Sequence, residues 1–254
     1  MRFFFSLVAT SIRASVSLKL AFFIELALNI GNNLIFFLIW WIFFDKFDTV
    51  GNWNFDDVLV MMAIVRGGYG LARICCGGSK VLAEKITTGG LDPYMTQPKN
   101  LLLHLLGSQS QSKGWGHILS AVILFFLADL HLTQLPMILV GVLCGGLLFT
   151  AIATIAHSLC FWFGGVGEVS KKYLDSIFLF VHYPVNIYSG LMQVFMFTIL
   201  PAGVIGYLPV EVVKRFSWSM LFALVGATGI FVALAFFIFY RGLRRYESGN
   251  LFLT

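Results

Sequence analysis

Long apolar runs in this chain carry a small set of side chains able to hold charge or move protons: Glu25, Arg66, Arg73, His157 and His182. An ionisable group in apolar surroundings pairs with a neighbour or lines a polar pathway, because isolating it there costs several kcal/mol. Glu25 stands just inside one end of the first run, and Arg73 lies at similar depth on the antiparallel second run. A Glu25–Arg73 ion pair is therefore expected. Arg66, two turns deeper, has no acidic residue at its depth. The five histidines (His104, His117, His131, His157 and His182) fall on different segments, which suits structural hydrogen bonds better than a metal cluster. Cys75, Cys76, Cys144 and Cys160 show no metal-ligand spacing and read as small buried residues. The chain has no phosphate-binding glycine loop ending in Lys-Ser/Thr, no Gly-x-Ser-x-Gly elbow, no His-Glu-x-x-His and no paired Cys-x-x-Cys. No catalytic residue and no metal site is expected.

The elements that must hold these side chains are set by the apolar runs themselves. Six cover residues 20–44, 55–76, 112–132, 137–163, 173–200 and 218–240. Bilayer hydrocarbon is about 30 Å thick, so roughly 20 apolar residues rising 1.5 Å each cross it. In lipid the backbone must satisfy its own hydrogen bonds, so the runs are expected to be helices. The third is the weakest, being strongly apolar only over 117–130. Of 254 residues, 59% are hydrophobic and 11% charged, which leaves no room for a large soluble domain. The expected fold is therefore all-α, one polytopic membrane domain over 1–254 with six transmembrane helices.

A net charge of +5 would suit nucleic acid, but the positions of the charges say otherwise. Lys80, Lys85, Lys99, Lys113, Lys171, Lys172, Arg241, Arg244 and Arg245 share one set of alternating loops and ends with Arg2, Arg13 and Lys19. The opposite set holds Lys46, Lys214 and Arg215 beside several acids. Basic loops stay inside, so both termini are expected in the cytoplasm. Residues 1–19 place Arg2, Ser6, Thr10, Arg13 and Ser17 on one helical stripe, with Phe4, Leu7, Val8 and Ile12 elsewhere. That pattern predicts an interfacial helix with its apolar side in lipid.

Two interruptions stand out. In the long basic loop, 77–116, residues 79–86 read as a helix extending the second span, ended by Thr87-Thr-Gly-Gly90. Asp92-Pro93 then reads as an N-cap followed by proline at the first helical position, and Pro98 stops that helix after little more than a turn. A short capped helix between two spans suits docking of a soluble partner, and an ordinary structured loop fits the sequence comparably. In the fifth run, Tyr183-Pro184-Val-Asn186-Ile-Tyr188-Ser-Gly190 sets a proline, an amide and a glycine near mid-membrane, where a break is expected. Pro201, Gly203, Gly206 and Pro209 follow, which predicts short re-entrant helices over 183–210, between the fifth and sixth spans. Irregular backbone at that depth survives only where protein covers it or a wet cavity borders it. Gly141-x-x-x-Gly145 and Gly146 on the fourth span predict close helix packing.

The tail Arg244-Arg245-Tyr246-Glu247-Ser248-Gly249-Asn250, with Gly90-Leu91-Asp92, Pro98, Tyr183-Pro184 and Ile187-Tyr188, resembles the type-2 ABC transporter permease family, in its small six-helix branch. The resemblance runs over essentially the whole chain. It implies a permease subunit of an ATP-driven exporter that works by alternating access, in the bacterial inner membrane. Its implied partners are a cytoplasmic ABC ATPase dimer, a second permease of the same or a paralogous chain, and membrane lipid, with no nucleic acid. ATP and Mg are expected on the partner ATPase, with no cofactor held by this chain. The implied coupling residues are Glu84, Gly90, Leu91, Asp92, Pro93, Tyr94 and Pro98, and the gate or pathway residues Tyr183, Pro184, Asn186, Tyr188 and Gly190. The rival reading is a non-transporting membrane anchor for a signalling or assembly complex, which would need the loop but not the broken helix. An intramembrane enzyme lacks a nucleophile–base pair.

Overall fold

A computed structural model describes residues 2–17, 19–128 and 130–247. The end of the Arg-Tyr-Glu-Ser-Gly-Asn tail, from Ser248 on, lies outside the described residues. The fold is all-α: α1 (Arg2–Val16), α2 (Lys19–Phe44), α3 (Phe55–Cys75), α4 (Leu82–Thr87), α5 (Asp92–Met95), α6 (Leu101–Gly107), α7 (Lys113–Leu127), α8 (Leu135–Ser158), α9 (Val166–Phe180), α10 (Leu191–Thr198), α11 (Leu208–Lys214) and α12 (Trp218–Leu243). Among the described residues four helices, α2, α3, α8 and α12, are long and apolar enough to cross a membrane, and a bent pair after α9 makes a fifth if it counts as one span. The six expected spans are not all met by helix length. With 15 residues each, α7 and α9 rise only about 22 Å.

Helix α3 is the hub, packed on α7 and α8 and buried along most of its length. Its start is fixed by a reciprocal cap: the Asn54 carboxamide accepts from the Asp57 amide, and the Asp57 carboxylate accepts from the Asn54 amide, each at 2.9 Å. The same Asp57 carboxylate takes Lys214 Nζ at 2.5 Å. Close approach along α3 depends on missing side chains. A Cβ on Gly68 would sit 3.0 Å from the backbone at Gly145–Gly146, so the small residues of the fourth run do pack a neighbouring helix.

A second apolar cluster lies at the basic end, where Leu82 and Ile86 of α4 meet Leu91, α6 and Phe239 of α12. Helix α4 does not continue α3. Cys76 leaves helical geometry and a 3₁₀ turn over Gly77–Val81 intervenes, with α6 crossing so close that a Cβ on Gly78 would meet the Leu105 carbonyl oxygen at 1.9 Å. Helix α1 exposes Ser6, Thr10 and Arg13 as its stripe predicts. Its opposite face meets protein rather than lipid. Val8 is buried, Phe4 lies over Gly107, and Ser11 Oγ donates to the Gly107 carbonyl at 3.2 Å. The leucine-rich α6 supplies a competing apolar surface, leaving Phe5 on the outside.

The segment after α9 turns back on itself. Helix α10 and the stretch from the π-helical turn Gly203–Tyr207 through α11 bend by 78° at their junction. Both ends of this segment are held by the loop joining α2 and α3. Asn186 Nδ2 donates to the Gly51 carbonyl, and Lys214 Nζ donates to the Asn52 carbonyl at 3.0 Å. With both ends tied to one loop, the segment doubles back on itself.

Candidate functional site

The residues expected to couple to a partner lie together at the basic end. Gly89 takes a left-handed φ of 77°, turning the chain after α4, and Gly90 follows against the Lys85 stem. Leu91 is fully buried in the basic-end cluster. Asp92 is not the N-cap expected from the sequence. Leu91 already has helical geometry and stands at the cap, Asp92 is the first residue of α5, and no side chain caps the helix. The Asp92 carboxylate instead accepts a hydrogen bond from Tyr246 Oη at 2.8 Å. Tyr94 is half-buried, edge-on to His104, with Lys85 Nζ 4.8 Å from its ring centre. Burial, then Lys99, pushes the His104 imidazole below its ordinary pKa, so the ring beneath α5 is neutral at pH 7. Glu84, Pro93, Met95 and Pro98 are exposed and form an outward rim around this anchored turn.

Tyr246 stands in a tail motif in the sequence, which carries no sign of its bond to Asp92. The structure adds the turn after α8, whose Phe161, Trp162 and Phe163 border a cleft of about 690 Å³ with Glu84, Thr87 and Tyr246. A run of three aromatics followed by Gly164-Gly165 was the available signal.

The broken helix is present. Helix α9 ends at Phe180, and the Pro184–Gly190 stretch reaches the α2–α3 loop through Asn186. Where the break falls follows from where α9 runs, 15 residues from Val166. Protein covers the freed backbone. Trp40 Nε1 donates to the His182 carbonyl at 3.3 Å, His182 stacks on Phe36, and Pro184 is buried. Tyr183 packs against Trp40, Tyr188 closes the 3₁₀ turn by donating to the Val185 carbonyl, and Gly190 opens α10 with φ 58°. The second oxygen-bearing arm of Asn186, Oδ1, is buried without a partner.

Glu25 and Arg73 are not brought together. The Gln111-Ser112 step of the loop before α7 takes both: Ser112 Oγ donates to Glu25 Oε2, while Arg73 Nη1 donates to Gln111 Oε1 at 3.3 Å. Arg73 also donates to Tyr69 Oη and lies over that ring at 4.7 Å. Two neutral polar residues supply the hydrogen bonds that a direct pair would otherwise have made. Arg66 is 1% exposed, sandwiched between Phe36 and Phe178, with Nε and Nη2 unpartnered.

Helices long and apolar enough to cross a membrane, a bent helix pair and an anchored helical turn at the basic end define an all-α polytopic membrane protein. The family model described as "ABC-2 family transporter protein" matches residues 30–249, and the chain belongs to that family. It is therefore a membrane-embedded permease component of an ABC transporter, a component that is not itself catalytic in this family. No curated protein matches the chain.

Proposed function

We propose that the chain is the permease subunit of an ATP-driven exporter, working by alternating access beside a second permease and on a pair of separate cytoplasmic ATPases. The observation that carries this reading is the platform around α5. An exposed rim of Glu84, Pro93, Met95 and Pro98 sits on a turn that Leu91 roots in the apolar cluster and Tyr246 ties to the end of α12. A push on that rim is transmitted to α12 and, through α4, to α8, which is what rigid-body rearrangement by a nucleotide-driven partner requires. A second permease is supported by α2, whose apolar residues are mostly exposed and which presents Gly31 and Asn32 on that open surface. The basic loops support a reading in which both termini and the platform face the cytoplasm, in the inner membrane of a bacterium. ATP and Mg then belong to the partner. Co-expression with the candidate ATPase and affinity purification tests the reading. Recovery of a stoichiometric complex that hydrolyses ATP and moves substrate outward supports it. A permease that assembles without an ATPase, or a complex whose transport runs inward, overturns it.

A further inference from the structure

A cavity of about 80 Å³ opens between α3, the Gly77–Val81 turn, α8 and α9 at the basic end. Its mouth carries Arg73, Lys80 and Lys171 against a single acid, Asp175, and its inner wall is apolar, with Ile152, Ala153 and Ile177. Lys171 already meets Glu168 at 2.5 Å, but Arg73 and Lys80 have no acid in a salt bridge among the described residues. Burial first, then the neighbouring Arg73 and Lys113, hold the Lys80 ammonium below its ordinary pKa, with Asp175 and Glu25 opposing. Deeper in, His157 is 2% exposed. Its Nδ1 lies 2.7 Å from the Ser79 carbonyl, so Nδ1 carries the proton, and Nε2 is left as a buried acceptor without a partner.

We infer that this cavity binds the headgroup of an anionic phospholipid bearing a free hydroxyl, with the phosphate on Arg73, Lys80 and Lys171 and the hydroxyl donated to His157 Nε2. A basic pocket between membrane helices at one leaflet is the setting in which phosphate headgroups are held. The volume admits only the hydroxyl-bearing end of a headgroup, so the phosphate sits at the mouth and the acyl chains lie outside along the helices. The site concerns lipid binding by the permease itself and stands whether or not the chain exports anything.

The test is native mass spectrometry of the full chain released from micelles doped with phosphatidylglycerol, phosphatidylmethanol (the same charge without the hydroxyls) or phosphatidylcholine. Retained phosphatidylglycerol should exceed both others. It should fall about thirtyfold in Lys80→Gln/Lys171→Gln, given about 1 kcal/mol for each of two basic contacts with an anionic surface. Ala153→Leu, which fills the cavity without touching a charge, should also lower it. Arg241→Gln/Arg244→Gln, at the same end of the molecule but away from the cavity, should not. Equal retention of phosphatidylcholine, or an equal loss in the Arg241/Arg244 variant, would show non-specific attraction and overturn the site. Equal retention of phosphatidylmethanol overturns the role given to His157. Displacement of the lipid by an equal concentration of inorganic phosphate would assign the site to free phosphate instead.

Discussion

Tyr246 Oη donates to Asp92 Oδ1 at 2.8 Å across 154 residues of sequence, joining the turn that carries the exposed rim to the end of the last helix. Helix α5 has only four residues and no side-chain cap, so its own backbone does little to hold it. Leu91 and this bond hold it instead. Tyr246→Phe removes the hydroxyl and keeps the ring against Phe161. The loss of one hydrogen bond to a carboxylate is expected to cost about 1.5–3 kcal/mol locally. Transport per assembled complex should fall while ATP hydrolysis continues, and unchanged coupling in a reconstituted complex would refute the linkage.

The same bond has a pH dependence with a definite sign. Burial, then the hydrogen bond to Asp92, pushes the Tyr246 phenol up from 10.0 to about 12. A pKa raised on folding means that the folded chain holds the proton more tightly. This contribution is complete below the ordinary phenol pKa and is lost as pH rises through about 12. Tyrosine absorbance during alkaline titration should include a late step near pH 12 in the wild type. Loss of that late step in Tyr246→Phe identifies it, and its persistence there would assign it to another tyrosine.

What the sequence made legible is what depends on local rules. Apolar length marked α2, α3, α8 and α12, proline and glycine marked the break, and a helical stripe marked the exposed side of α1. Partnerships made over long separations were not legible. Asp92 looks like an N-cap because Asp-Pro is common there, but the choice of Leu91 as cap is made by burial in a cluster built from four distant segments. Depth alone paired Glu25 with Arg73, because it could not show Gln111 and Ser112 folding between them. Residue counts likewise located the break relative to the run, but not the start of α9 at Val166.

The intervening residues make a sharp energetic prediction. A double-mutant cycle of Glu25→Gln with Arg73→Gln should give a coupling near zero, since the two groups bond to different partners. The Glu25→Gln/Ser112→Ala cycle should give about 1.5–3 kcal/mol, the range for a hydrogen bond to a charged acceptor. Thermal denaturation in one detergent measures both. A large first coupling with a negligible second would restore the direct ion pair.

At the break, proline is one constraint among several. The chain has left the helix by Phe180, the His182 carbonyl is satisfied by Trp40, and Asn186 is tied to Gly51. Pro184→Ala alone should therefore leave the break in place, with assembly and transport near those of the wild type. Asn186→Ala cuts the tie to the α2–α3 loop, at about 1 kcal/mol for the hydrogen bond. Transport per assembled complex should drop before the yield of folded protein does. The opposite order, yield falling first with transport per complex intact, would make the segment a packing element and not a gate.

Arg66 poses the sharpest conflict between stability and function. Its guanidinium is 1% exposed between two phenylalanine rings, with two nitrogens unpartnered and no salt bridge among the described residues. Cation–π attraction returns about 0.5–2 kcal/mol, against several for burying the charge. A residue kept only for packing would be better as methionine, of similar length and without charge. Arg66→Met is therefore expected to raise stability by about 1–4 kcal/mol, the gain seen when apolar residues replace buried charges. If the charge serves the transport cycle, by meeting an acidic group when the helices rearrange, the same variant must transport poorly, and Arg66→Lys should keep part of the activity. Melting temperature and transport per complex, measured together, decide the matter. A stabilised Arg66→Met that transports normally removes any role for the charge, while a destabilised one shows that the two rings alone justify it.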